Sequence, residues 1–170
     1  MVKRGLDVTL FATQNSQTAG TLKAIVAEPW EENKEADPKV LEYQHISFTL
    51  EHADDFDLIH NQFDFMPLAY SRLIDTPMVT TVHGFSSPKI IPIYKKYNQN
   101  THYVSISNAN RHAELDYIAT VYNGIDSEQF SFNQNPDDYL LFFGRIHHDK
   151  GCREAIEIAK KSKRRLVISG

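Results

Sequence analysis

Seven short apolar runs, separated mostly by stretches with helical spacing, constrain this chain more than any other feature. They span Leu6 to Ala12, Leu58 to His60, Met78 to Val82, Tyr103 to Ile106, Thr120 to Tyr122, Tyr139 to Phe143 and Leu166 to Ser169. Continuous rather than alternating hydrophobicity is what strands buried on both faces of a parallel sheet require. Val40, Tyr43, Ile46, Leu50 and Ala53 recur at helical spacing, and Asp57 opens the next strand. Cys152, Ala155, Ile156 and Ala159 do the same, with Glu154 and Glu157 early and Lys160, Lys161 and Lys163 late, as the helix dipole favours. The alternation predicts a doubly wound α/β fold with a Rossmann-like parallel sheet and flanking helices.

With 170 residues the chain has room for one ordinary domain, or for one domain and part of a second. Hydrophobic residues at 41% and charged residues at 24% are globular proportions, and a net charge of −4 points away from nucleic acid. No apolar run approaches the roughly 18 residues of a membrane span, and no signal-peptide pattern opens the chain, so a cytoplasmic setting is expected. The lone Cys152 excludes an intrachain disulfide and a thiolate metal cage, and reads as a small buried helix residue.

The polar segment Ser127 to Asp138 has the composition of a connector, and divides the expected organisation into residues 1–130 and 131–170. Residues 28–38, charged and bounded by prolines, read as a surface loop. Lys3, Arg4 and Gly5 resemble the end of a helix whose body is missing, and Leu166 to Gly170 reads as a strand with no helix after it. The expectation is a piece cut from a longer protein at both ends.

Tyr139 to Gly151 carries the clearest chemical signal: a buried strand, a glycine turn and the start of a helix. Ligands of open α/β sheets bind just past the carboxyl ends of strands, where helix N-termini offer unpaired N–H groups. Arg145 and Lys150 fall there, where cations oppose the helix dipole unless an anion joins them. A bound phosphate resolves the conflict. The alternative is that both are solvated loop charges, with Asp149 capping the helix.

These segments resemble family-4 glycosyltransferases over nearly the whole chain. Val2-Lys-Arg-Gly-Leu-Asp-Val-Thr-Leu-Phe-Ala12 is similar to the end of that family's first helix and its second strand. Phe56-Asp-Leu-Ile-His60 resembles its D-V-I-H strand, Pro77-Met-Val-Thr-Thr-Val-His-Gly84 its P-V-V-T-T-x-H-G turn, and Val104-Ser-Ile-Ser107 a further strand. Val121-Tyr-Asn-Gly-Ile-Asp126 resembles x-x-N-G-I-D, and Phe143-Gly-Arg-Ile-His-His-Asp-Lys-Gly151 resembles G-R-x-x-x-x-K-G. The six matches occur in the family's order.

The resemblance implies a GT-B fold, in which two Rossmann-like domains face each other across a cleft, the acceptor side here incomplete and followed by the first strand-helix-strand unit of the donor side. It implies transfer of a hexose from a UDP- or GDP-sugar to a sugar, lipid or glycan acceptor, with retention of configuration and without a metal. Gly144, Arg145 and Lys150 would hold the donor diphosphate, and fixed cations would stabilise the charge that builds on the departing phosphate. His83 would contact the transferred sugar or the acceptor, with His60, Asn61, Gly84, Asn123 and Gly124 lining the cleft. A capping or core histidine hydrogen-bonded to backbone is the plainer reading of His83.

His147, His148 and Asp149 are residue types that bind zinc, yet adjacent histidines on an extended loop tend to point apart, and no third ligand at suitable spacing is evident. Lys95, Lys96 and Arg111 could meet an anionic acceptor or a membrane surface, or be solvated helix charges. The family's glycine-rich loop and its acidic E-x7-E motif are not among the 170 residues, so this chain alone is expected to transfer sugar poorly or not at all. A second class of function is a binding module that self-associates through exposed sheet edges. An unrelated Rossmann-like nucleotide binder is disfavoured, because no G-x-G-x-x-G follows a strand.

Overall fold

A computed structural model describes residues 1–33 and 35–170. Two compact units form, Met1–Gly124 and Ile125–Gly170. Every strand pairing is parallel, so the chain is an α/β protein with parallel sheets. Among the described residues no helix is long and apolar enough to cross a membrane.

In the first unit, β1 (Thr9–Phe11) pairs with β2 (Thr21–Lys23). Phe11 projects from β1 against Phe48 and Phe56, with both ring centroids at 5.7 Å. Phe48 belongs to α1 (Pro38–Leu50), which starts where Asp37 accepts hydrogen bonds from the amides of Lys39 (2.8 Å) and Val40 (3.4 Å) and Pro38 supplies a preset first turn. The apolar stripe expected along α1 is buried only towards its end. Ile46 is buried and Leu50 packs on the core, whereas Val40 and Tyr43 stay largely exposed beside Gln44 and Ser47 along an open surface groove. Of the surface loop expected at 28–38, Lys34 lies outside the described residues.

The main sheet holds β3 (Ile59–Asn61), β4 (Met78–Val82), β5 (His102–Ser105) and β6 (Tyr117–Thr120), in the order β3-β4-β5-β6. Strand order follows chain order throughout, so the reversal that defines a doubly wound sheet does not occur within it. The connections explain part of this economy. Prolines at 67, 77, 88 and 92 interrupt them, and they condense into short 3₁₀ turns and the six-residue α2 (Ile91–Lys96) instead of long crossover helices. Strand β6 begins three residues earlier than its apolar run suggests, because Tyr117 packs on the core while Val121 and Tyr122 are exposed.

The core of this unit gathers Leu68, Met78, Val82, Tyr94, Tyr97, Tyr103 and Leu115. Strand β4 alternates Met78, Thr80 and Val82 inward, and the buried threonine is satisfied by Thr101 Oγ1 at 3.1 Å and by Asn61 Nδ2 at 3.3 Å. Tyr103 donates to the Tyr94 carbonyl at 2.8 Å, and the Tyr94 hydroxyl donates to the Asp64 carboxylate. Burial, then the Asp64 hydrogen bond, pushes the Tyr94 phenol well above its ordinary value. Asp64 holds a left-handed backbone with φ of 76°, a conformation unfavourable for a residue with a Cβ. Its fixed contacts compensate: the carboxylate accepts from Tyr94, and its carbonyl accepts from Asn61 Nδ2 at 2.9 Å.

In the second unit, β7 (Leu140–Phe143), α3 (Cys152–Ser162) and β8 (Leu166–Ser169) form a strand-helix-strand unit, with β7 and β8 in register from Leu140↔Leu166 to Phe143↔Ser169. Phe142 and Ala159 are buried, whereas Leu141 and Phe143, alternating onto the other face of β7, are 57% and 81% exposed. Residues 130–139 are exposed and carry neither helix nor strand.

Candidate functional site

Because β3 to β6 are parallel, the residues that follow them emerge along one edge of the sheet. His60 lies within β3, exposed, and its Nε2 sits 2.8 Å from Thr81 Oγ1 on β4. His83 follows the end of β4, also exposed. Gly84 then turns the chain with φ of +153°, which a side chain would resist. The two histidines are joined through a residue that sequence reasoning passed over. Gln62 places its Nε2 2.7 Å from His60 Nε2 and its Oε1 2.6 Å from His83 Nε2.

The amide fixes the tautomers that this network can hold. Its NH₂ donates to His60 Nε2, and its oxygen accepts from His83 Nε2–H, which leaves Nδ1 as the acceptor nitrogen of a neutral His83. Desolvation, and secondarily the nearby His83, hold the His60 imidazole below its ordinary pKa. A group whose folded pKa is depressed stays neutral where the unfolded chain already takes a proton. The contribution of this network to stability is therefore present above about pH 6.5 and declines as pH falls below it. In a ¹H–¹³C titration the His60 ring should show a midpoint below the ordinary histidine value, and His83→Gln should raise it. A His60 midpoint at or above that of an unfolded histidine would contradict the arrangement.

Strand alternation was the signal that could have found Gln62. His60 points out, Asn61 points in and residue 62 returns to the outer side. Asn61, expected to line the cleft, is instead buried in the sheet, where its Oδ1 accepts from the Phe63 amide at 2.9 Å and its Nδ2 reaches the Asp64 carbonyl and Thr80. The reason is register: Asn61 pairs with Thr80, whose hydroxyl needs a buried partner. Asn110 Nδ2 reaches the His83 carbonyl at 3.4 Å. Asn123 and Gly124 lie in an exposed irregular segment beyond the carboxyl end of β6.

Lys95, Lys96 and Arg111 are engaged on the surface of this unit. Lys95 pairs with Glu114, Lys96 Nζ sits 5.1 Å from the Tyr97 ring centroid, and the Arg111 guanidinium lies 4.9 Å from that of Tyr117. These contacts match solvated, locally satisfied charges.

In the second unit, Gly144 leaves β7 with φ of +149° and is held by its amide to the Ser169 carbonyl at 2.9 Å. Arg145 is exposed, His148–Lys150 form a 3₁₀ turn and Gly151 leads into α3. No side chain caps α3, so the capping role considered for Asp149 is not taken up. Among the described residues, neither Arg145 nor Lys150 forms an ion pair with an acidic group. Asp149 turns to the two histidines instead, with Oδ2 3.3 Å from His147 Nδ1 and Oδ1 2.7 Å from His148 Nε2. The adjacent histidines, expected to diverge, converge with ring centroids 4.1 Å apart, because an extended residue followed by a 3₁₀ turn folds successive side chains towards one side. Cys152, expected buried, is half-buried at the start of α3.

No protein-family model and no curated protein matches this chain. Its chemistry is therefore read from these two groups of residues.

Proposed function

We propose that this chain is part of a retaining, sugar-nucleotide-dependent glycosyltransferase of the GT-B type, its first unit contributing acceptor-side residues and its second unit donor-side residues. The observation that carries this reading is the electrostatics of the β7–α3 turn. Two exposed cations, without acidic partners among the described residues, precede a helix that has no side-chain N-cap, an arrangement suited to a diphosphate. As the bond to the sugar breaks, negative charge grows on the leaving phosphate, and Arg145, Lys150 and the α3 amides would stabilise that charge. On the first unit, His83 presents an acceptor nitrogen at the sheet edge and His60 and Gln62 orient it. In this reading His83 hydrogen-bonds a sugar or acceptor hydroxyl, and the transfer step uses no metal.

The glycine-rich loop and acidic pair of the resembled family are not among the 170 residues, so donor binding rather than turnover is the informative assay. Calorimetric titration with UDP and GDP should show saturable binding that weakens as salt is raised. Absence of binding to either nucleotide, to their sugar conjugates and to pyrophosphate would refute the reading.

A second reading has an observation of its own. Leu141 and Phe143 expose an apolar strip on the sheet of the second unit, which a self-associating module would bury. Sedimentation equilibrium should then show concentration-dependent association that Phe143→Lys abolishes. A monomer at all concentrations excludes this second reading.

A further inference from the structure

We propose that His147, His148 and Asp149 form a binding site for a divalent first-row transition metal, represented by Zn²⁺. The site goes beyond the transferase reading and uses neither Arg145 nor Lys150, and no step of sugar transfer is assigned to the ion.

The local chain geometry assembles the ligands. His147 is extended (φ −146°, ψ 150°) and the next three residues wind into a 3₁₀ turn closed by the Lys150 amide on the His147 carbonyl (3.0 Å) and the Gly151 amide on the His148 carbonyl (3.2 Å). The ligands therefore sit on a hydrogen-bonded turn between a strand and a helix. One ligand atom from each residue lies within 4.8 Å of the other two. Zinc–nitrogen and zinc–oxygen bonds of about 2.0–2.1 Å set tetrahedral ligand-to-ligand edges of about 3.3–3.4 Å. The 3.3 Å between His147 Nδ1 and Asp149 Oδ2 already meets that edge; a metal there would replace the long 3.4 Å contact that Nδ1 accepts from the Asp149 amide, and would require the 2.7 Å contact from His148 Nε2 to Asp149 Oδ1 to lengthen by about 0.6 Å.

The donor chemistry selects the class of ion. Two imidazoles and one carboxylate suit Zn²⁺, Ni²⁺ and Cu²⁺, whereas Mg²⁺ and Ca²⁺ favour oxygen ligands. Among the described residues the Asp149 carboxylate contacts no lysine or arginine, so no protein cation competes for it. Three protein ligands leave a fourth position for water or an added donor. Both histidines also border an open groove of about 480 Å³ with Ile146, Cys152, Ile156 and Lys160.

Titration of the whole chain with ZnCl₂ near neutral pH, by calorimetry and by histidine NMR, tests the site. The expected result is one saturable site per chain, with zinc shifting the ring signals of His147 and His148 first. His147→Ala and His148→Ala should each weaken binding by about tenfold or more, through loss of one ligand, while His102→Ala leaves it unchanged. Because the turn is exposed, the variants should keep the parent far-UV circular dichroism. The NMR shifts in the unsubstituted chain give a readout that does not depend on any variant folding. Failure to bind, or binding of equal strength in the His147→Ala/His148→Ala double variant with shifts confined to other histidines, overturns the proposal.

Discussion

Replacing both Arg145 and Lys150 with alanine is expected to reduce nucleotide-diphosphate binding by about a hundredfold or more, leaving no detectable complex in a calorimetric titration. Hydrogen bonds to charged groups are among the stronger polar contacts, and two lost together multiply the effect. Each substitution alone should weaken binding by about tenfold or more. Arg145→Lys should recover only part of the loss, because an ammonium keeps the charge but not the planar fork that matches two phosphate oxygens. Lys161→Ala is the control. It removes the same charge from the opposite end of α3, where the helix dipole repels an anion, and should leave affinity unchanged. Equal binding by the double variant and the parent chain would show that the diphosphate sits elsewhere or nowhere. Both cations are exposed, so the substitutions test binding without disturbing the core.

Tyr103→Ala is expected to be the most destabilising single change considered for the first unit, by about 3–5 kcal/mol, as for other large-to-small aromatic truncations. The side chain is fully buried in the middle of the main sheet. Its ring packs against Tyr94 at 5.6 Å and Tyr117 at 6.2 Å between centroids. Since a domain of this size has a total stability of only about 5–15 kcal/mol, urea denaturation followed by circular dichroism should show a large fall in midpoint or an unfolded first unit. Tyr103→Phe separates packing from hydrogen bonding. It keeps the ring and removes only the hydroxyl that donates to the Tyr94 carbonyl at 2.8 Å, and should cost about 1 kcal/mol. A Tyr103→Ala variant as stable as Tyr103→Phe would mean that the tyrosine cluster is not the core of this unit.

The elements most legible in the sequence were those whose signal is local. Met78–Val82 and Leu166–Ser169 form strands at the residues their apolar runs mark, and the 3.6-residue spacing from Cys152 marks α3. Strand β2, Thr21–Lys23, carried no such signal. Three residues with one hydrophobic side chain become a strand only because β1 offers a parallel partner. The half-exposed face of α1 was equally hidden. Helical spacing says that Val40, Tyr43 and Ile46 share a stripe, but not how far along that stripe the rest of the chain extends.

The candidate site divides along the same line. His60 and His83 could be nominated from their places at strand ends, whereas the amide that joins them depends on the alignment of two strands that brings together residues 21 positions apart in the chain. Residue order alone determined a parallel α/β chain, the positions of its glycine turns and the placement of Arg145 and Lys150 beside a helix start, because backbone periodicity, turn chemistry and charge are written within a few neighbouring residues. Tertiary structure decided that Asn61 faces inward and that Gln62 bridges two imidazoles, and the folded backbone decided that three consecutive side chains after β7 converge. The first two outcomes depend on interstrand register, which no local pattern encodes, and the third on torsion angles fixed where an extended residue runs into a hydrogen-bonded 3₁₀ turn.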